Sequence, residues 1–162
     1  MTVVSATPDT DARTLTIVTE FRAAPERVWQ LWADPRQLER WWGPPTWPAT
    51  FTALDLRPGG RASYYMTGPE GEKAGGWWEF VTVDAPRTLH FDDGFADENG
   101  RPSTEMPVVR AEVAIETAGD GTRMTIVSRF ADAEQMRQLT SMGMVEGMSE
   151  ALGQIDPLLA HG

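Results

Sequence analysis

The segment from Ala24 to Pro45 constrains the fold most, because it holds four of the seven tryptophans in a chain of 162 residues. Pro25 and Pro35 suit the first positions of two short helices, since proline lacks the N–H that would be unpaired there. Apolar residues then recur three to four apart, as on one buried face of each helix: Val28, Trp29, Leu31, Trp32, Leu38, Trp41 and Trp42. This much rigid aromatic surface must be buried or line a ligand site.

Strand-like segments surround these two helices. Thr14–Phe21 is β-branched and alternating, so we predict it as the first strand. Six further strands are predicted after the helices, at residues 50–56, 61–67, 76–83, 88–91 (with an extension to 95 left open), 108–117 and 122–130. Turn signals recur roughly every 8–12 residues, which is typical of an antiparallel meander. We therefore expect a sheet of about seven strands.

The C-terminal part predicts one long amphipathic helix, which Asp132 or Ala133 opens and which continues from Glu134 to about Ile155. Its apolar residues lie three or four apart: Met136, Leu139, Met142, Val145, Met148, Leu152, Ile155 and Leu159. Gly143, Gly147 and Ala151 form a stripe of small residues beside them. Two interpretations of the stripe stay open, namely close packing on the sheet and space for a ligand. A helix laid across a curved sheet would close the core of an α+β domain.

Composition limits the classes of function. The length indicates one domain, which we place at residues 13–160, with a flexible N-terminus at residues 1–12. A net charge of −10 disfavours nucleic acids and anionic membranes as partners. The chain has no cysteine, no run of about 18 apolar residues and no signal-like first segment. We therefore expect a cytoplasmic protein without a membrane span.

Motifs that carry chemistry are few. No phosphate-binding loop, dinucleotide-binding, nucleophile-elbow or zinc-protease pattern occurs in the sequence. His90 lies between two apolar strand residues and should point away from their face. The acidic run Asp92–Asn99 lacks the spacing of a calcium loop, so we interpret it as a solvated hairpin tip. We therefore predict no catalytic residue, no metal and no cofactor, and we favour a binding protein over an enzyme.

Several segments together resemble one known family: Phe21–Trp29, Leu38–Pro44, Asp55–Gly60, Gly76 with Asp84–Leu89, and Glu146–Met148 with Leu152. They are similar to the activator of heat-shock protein 90 ATPase homologue-1-like domains of the SRPBCC superfamily, which also contains START-like and birch-pollen-allergen-like proteins. The resemblance covers roughly Thr14 to Leu159. It implies a helix-grip fold, in which a curved antiparallel sheet wraps around a long C-terminal helix and two short helices follow the first strand.

The resemblance also implies a cavity between sheet and helix that holds apolar molecules. We predict that the cavity binds a small apolar or aromatic ligand, contacted by Trp41, Trp42, Trp47, Tyr65, Trp78, Phe80, Met106, Arg110, Met144, Gly147 and Met148. The few polar candidates to orient the ligand are Tyr64, Tyr65, Arg110 and Glu112. Relatives often carry a tryptophan where this chain has Met148, so the cavity of this chain should differ in shape.

Two other functions stay open at this point. A polyketide cyclase- or dehydratase-like enzyme would use the same cavity, and it would need an inward tyrosine, histidine or carboxylate near the ligand. A protein-interaction module, linked to a chaperone or forming a homodimer, would instead use exposed aromatic side chains such as Trp77.

Overall fold

The computed structural model describes residues 3–97, 99–103 and 106–160. Its elements are β1 (Val3–Asp9), β2 (Thr14–Phe21), α1 (Pro25–Ala33), α2 (Pro35–Trp41), β3 (Ala49–Leu54), β4 (Arg61–Thr67), β5 (Lys73–Asp84), β6 (Thr88–Ala96), β7 (Val109–Ala118), β8 (Gly121–Arg129), α3 (Ala133–Ser141), α4 (Met144–Leu152) and α5 (Ile155–Ala160). The strands form one antiparallel sheet in the order β1-β2-β8-β7-β6-β5-β4-β3. The predicted α+β class is confirmed.

The pairing of β2 with β8 places the N-terminal hairpin of β1 and β2 beside the last strand of the sheet. Between β2 and β3, the helices α1 and α2 carry the chain to the opposite edge of the sheet. One face of the sheet is buried along alternate residues, because side chains of a strand alternate between its two faces. On β7 these inward residues are Val109, Ala111, Val113 and Ile115, which are 8% exposed or less.

The N-terminal segment differs from the prediction that residues 1–12 are flexible. Residues 1 and 2 lie outside the described part, but Val3–Asp9 form an edge strand paired with β2. A carboxylate oxygen of Asp9 accepts the backbone N–H of Ala12 at 3.0 Å and closes the turn between the two strands. Most side chains of β1 are exposed, so the segment carries no hydrophobic pattern that marks a strand. The sheet therefore has eight strands rather than about seven.

The two predicted helices form as expected. A carboxylate oxygen of Asp34 accepts the backbone N–H of Arg36 at 2.9 Å at the start of α2. The other oxygen accepts the side-chain N–H of Gln37 at 3.0 Å. These hydrogen bonds, first the one from Gln37, lower the pKa of Asp34. The indoles of Trp32 and Trp41 are 1% exposed and belong to the core. These two indoles therefore contribute to the packing of the core.

The C-terminal helix is divided, where the sequence predicted one helix of about six turns. Gly143 adopts φ +91°, a left-handed conformation that ends α3 and starts α4. Residues with a side chain rarely adopt this conformation, and glycine adopts it at little cost. Met142, directly before the break, is 59% exposed. Inward positions on either side of the break remain buried, including Leu139 and Leu152.

Candidate functional site

A cavity of about 330 Å³ lies between the buried face of the sheet and the helices α3 and α4. This volume is at the lower end of the range for sites that hold small molecules. The lining is mostly apolar and consists of Trp32, Trp42, Tyr64, Met66, Phe91, Asp93, Gly94, Phe95, Val109, Ala111, Ile126, Ser128, Leu139, Met142, Gly143, Met144 and Met148.

Small side chains in the middle of the sheet leave the room for this cavity. Ala111 on β7 lies opposite Phe91 of β6 on one side and opposite Ser128 of β8 on the other. Because the side chains of Ala111 and Ser128 are short, space remains between this part of the sheet and the side chains of α3 and α4. Met144 and Met148 of α4 close the space from above. Methionine is flexible enough to adapt such a wall to different shapes.

Interlocked aromatic rings form one wall of the cavity and the packed layer behind that wall. Trp78 is fully buried, stacks on Phe91 with ring centroids 4.2 Å apart, and meets Trp42 edge-on at 4.8 Å. The segment after α2 is held in place by Gln154, whose side-chain amide donates to the carbonyl of Gly43 at 2.8 Å. The orientation of Trp42, next to Gly43, is therefore set by packing and by the C-terminal helices.

One polar pair stands in the apolar wall. The hydroxyl of Tyr64 donates to Oδ1 of Asp93 at 3.0 Å. Both side chains lie deep in the protein and keep limited access from the cavity. Gly76 lies opposite Tyr64 in the neighbouring strand, and a Cβ there would overlap the tyrosine ring. The glycine thus allows the ring to lean toward β6 and reach Asp93.

Burial dominates the electrostatics of this pair. It raises the pKa of Asp93 to about 7, although nearby polar hydrogens of Tyr64 and Trp78 favour the charged form. Burial, followed by the negative charge of Asp93, also raises the pKa of Tyr64, so the phenol keeps its proton. The buried indole N–H groups of Trp42 and Trp78 have no hydrogen-bond partner within the described chain. They lie close to the pair without reaching hydrogen-bonding geometry.

The structure brings three of the predicted contact residues to the cavity: Trp42, Met144 and Met148. Trp41, Trp78 and Phe80 are 2% exposed or less and lie in the packed layer behind the wall. Trp47 packs closely over Gly68, in the loop between β4 and β5, and is absent from the lining.

The other predicted residues lie elsewhere. Tyr65 and Met106 line a separate groove on the outer face of the sheet, where the ammonium of Lys73 lies 4.6 Å from the Tyr65 ring. Arg110 also points to the outer face and pairs with Asp92. Alternation along the strands explains the outward positions of Tyr65 and Arg110. Their neighbours Tyr64, Val109 and Ala111 are the residues that point inward. A Cβ on Gly147 would have no atom within 4 Å, and this residue does not line the cavity.

Glu112, a further polar candidate, is also directed outward, where it accepts the side chain of Arg129 at 2.8 Å. Trp77, the aromatic residue expected to be exposed, is half-buried instead. Its indole donates to the carbonyl of Phe95 at 3.1 Å, and its ring covers Gly94.

Sequence reasoning missed Asp93, because the acidic run was interpreted as a solvated tip. The tip is confined to the turn around Asp97, whose carboxylate accepts the backbone N–H of Asn99 and of Arg101 at 2.9 Å each. Glu98 lies outside the described residues. The missed signal is the alternation Leu89, Phe91, Asp93, Phe95, which puts the aspartate on the apolar face of β6.

The described part of the chain contains no candidate for a metal site or for a membrane span. Within the described ranges, no group of three or more histidine, cysteine, aspartate or glutamate side chains could hold a metal ion. None of the helices in those ranges is long and apolar enough to cross a membrane.

Comparison with known proteins connects this geometry to a family. Residues 22–160 match the family model for Activator of Hsp90 ATPase homolog 1-like protein. A protein of Arthrobacter aurescens, solved by NMR, is 56% identical with a TM-score of 0.95, over 99% of this chain and 94% of that one. The crystal structure of Ms6760 from Mycobacterium smegmatis is 50% identical with a TM-score of 0.90, over 97% of this chain and 96% of that one. No functionally curated protein matches the sequence.

Proposed function

The chain belongs to the Activator of Hsp90 ATPase homolog 1-like family, and from this premise we propose that it binds a small apolar or aromatic molecule between the sheet and α3–α4. One observation carries the proposal. The space of about 330 Å³ has an apolar lining with very few polar groups, one of which is the Tyr64–Asp93 pair. Small-molecule sites typically combine such a lining with a few polar groups that orient the ligand.

The residues of the sheet beneath the cavity also support a ligand site. Ala111 and Ser128 could be larger residues without leaving the strand pattern, so their small size is consistent with a space that is kept for a molecule.

The test uses N-phenyl-1-naphthylamine, a neutral apolar dye whose fluorescence increases in apolar surroundings. Ala111→Leu places additional methyl groups in the cavity, and its matched control Ala114→Leu adds the same groups on the exposed face of β7. We expect the cavity variant to bind the dye about tenfold more weakly or worse, and the control to bind it like the unaltered protein. Circular dichroism checks that both variants are folded. Equal dye affinity in the two variants would exclude this cavity as the binding site.

A second candidate function is acid–base catalysis of the polyketide cyclase or dehydratase kind in the same cavity. The observation that favours it is a carboxyl with a pKa of about 7 beside a tyrosine hydroxyl in an apolar space. A general acid or base is most effective when its pKa lies near the working pH. The test is deuterium exchange at the central carbon of a 1,3-diketone. The enzyme hypothesis requires faster exchange with the protein than with Asp93→Asn, and equal rates would dismiss it.

A further inference from the structure

We infer that the cavity selects molecules that carry a hydrogen-bond-donating hydroxyl or amino group, and that it discriminates against carboxylates. The inference rests on the proposed function and specifies its ligand class. It makes Asp93 the group that recognises the ligand, and Tyr64 the residue that positions this carboxyl.

Asp93 has hydrogen-bonding capacity that the described chain does not use. Oδ1 accepts the hydroxyl of Tyr64, which is the one donor to this carboxyl within hydrogen-bonding geometry in the described chain. A carboxylate offers about four acceptor sites on its two oxygens. The side chain lies on the wall of the cavity, so a donor on a bound molecule can reach the remaining sites. Buried polar groups in native proteins are nearly always hydrogen-bonded, so a donor on a molecule bound in the cavity would satisfy the remaining capacity of Asp93.

No cationic side chain in the described lining of the cavity compensates the charge of Asp93. No lysine, arginine or histidine is present among the described lining residues, and Tyr64 is the one other titratable group there. Arg110, although close in the sheet, pairs with Asp92 on the outer face. A carboxylate ligand would place a second negative charge in the same apolar space. Like charges at short distance in a poorly hydrated site repel strongly.

Two indole N–H groups near Asp93 have no hydrogen-bond partner within the described chain. The N–H groups of Trp42 and Trp78 are donors, but their nitrogen atoms have almost no accessible surface. They cannot serve a ligand in the cavity, and they favour the ionised forms of Tyr64 and Asp93 from behind. The polar end of the cavity therefore presents an acceptor to the ligand. The high pKa of Asp93 agrees with a carboxyl that lacks a cationic partner.

The experiment compares 2-naphthol with 2-naphthoate, which share one ring system and differ in the polar group. Isothermal titration calorimetry at about pH 8, where Asp93 is ionised, measures both affinities. We expect the unaltered protein to prefer 2-naphthol by about tenfold to a hundredfold, the range for one hydrogen bond to a charged group. Asp93→Asn should reduce the preference about tenfold or more, with tighter binding of 2-naphthoate as part of the change. Asp92→Asn, the matched control on the outer face of β6, should keep the preference.

Each outcome has a separate meaning. The preference of the unaltered protein requires no variant, so a folding defect in Asp93→Asn would not prevent the test. Equal affinities for the two probes, with both lost in Ala111→Leu, would overturn the selectivity and leave the proposed function standing. An unchanged preference in a folded Asp93→Asn variant would also overturn the role of Asp93. Binding of neither naphthalene probe nor N-phenyl-1-naphthylamine would overturn both proposals.

Discussion

The buried carboxyl of Asp93 should make the free energy of unfolding depend on pH. The substitution Asp93→Asn should remove this dependence. Its pKa is raised from 3.8 to about 7 by burial. Between these two values the folded protein holds a proton that the unfolded chain has released. The free energy of unfolding must therefore fall as the pH rises through this interval, and the loss is nearly complete at about pH 8, one unit above the pKa of Asp93 in the folded protein. Asp93→Asn cannot ionise, so it lacks this contribution.

The magnitude follows from the size of the pKa shift. Where the folded state binds one proton more than the unfolded state, the free energy of unfolding changes by about 1.4 kcal/mol per pH unit. From about pH 5 to about pH 8, the unaltered protein should lose about 2.5 kcal/mol through Asp93. The stability of Asp93→Asn relative to the unaltered protein should rise by this amount over the same interval.

Urea unfolding followed by tryptophan fluorescence gives both free energies at each pH. Other titrating groups contribute equally to the two proteins, so they cancel in the difference between them. A difference that stays constant between about pH 5 and about pH 8 would show that the Asp93 carboxyl is hydrated like a surface group. A difference of opposite sign would mean that a cationic group stabilises the charged form. Either result would refute the reasoning about the cavity wall.

Three further changes test parts of the same structure. Tyr64→Phe removes a hydrogen bond that favours ionised Asp93, so the pKa of Asp93 should rise further; a fall in this pKa, followed by NMR of the carboxyl carbon, would contradict this. Gly143→Ala forces a side chain into φ +91° and should lower the free energy of unfolding by about 1–2 kcal/mol, measured in urea; an unchanged value would argue against the left-handed break. Gln154→Leu loses the hydrogen bond to Gly43 and should cost about 1–3 kcal/mol on thermal unfolding, with no loss if the amide is solvated.

Local chemistry made most of the elements predictable. Pro25 and Asp34 mark the starts of α1 and α2 because both residues satisfy conditions at a helix N-terminus, whatever the rest of the chain does. The strands from β2 to β8 could be recognised since a half-buried strand must alternate. β1 was missed for the same reason, because an edge strand with exposed residues has no such pattern. At Gly143 helical periodicity continued through the position, and only the backbone conformation shows the break.

The candidate site was less accessible to prediction. The sequence indicated an aromatic and methionine-rich cavity, and Trp42, Met144 and Met148 do line it. Tyr65 and Arg110 were chosen from the wrong face of their strands, where one step in the alternation reverses every side chain. Asp93 could have been assigned to the inner face from its apolar neighbours two positions away, but only if β6 was known to extend past it.

The sequence by itself determined the antiparallel sheet, the helices α1 and α2 and the mostly apolar nature of the interior, since all of these follow from local spacing and residue type. The family was identified from the resemblance of several segments to known members. Only the tertiary structure decided that Tyr64 and Asp93 meet. They are 29 residues apart, and their contact depends on the order β4-β5-β6 and on Gly76 between them. The tertiary structure also decided the charge state of Asp93, because the pKa of a carboxyl depends on its surroundings. Those surroundings come from distant parts of the chain.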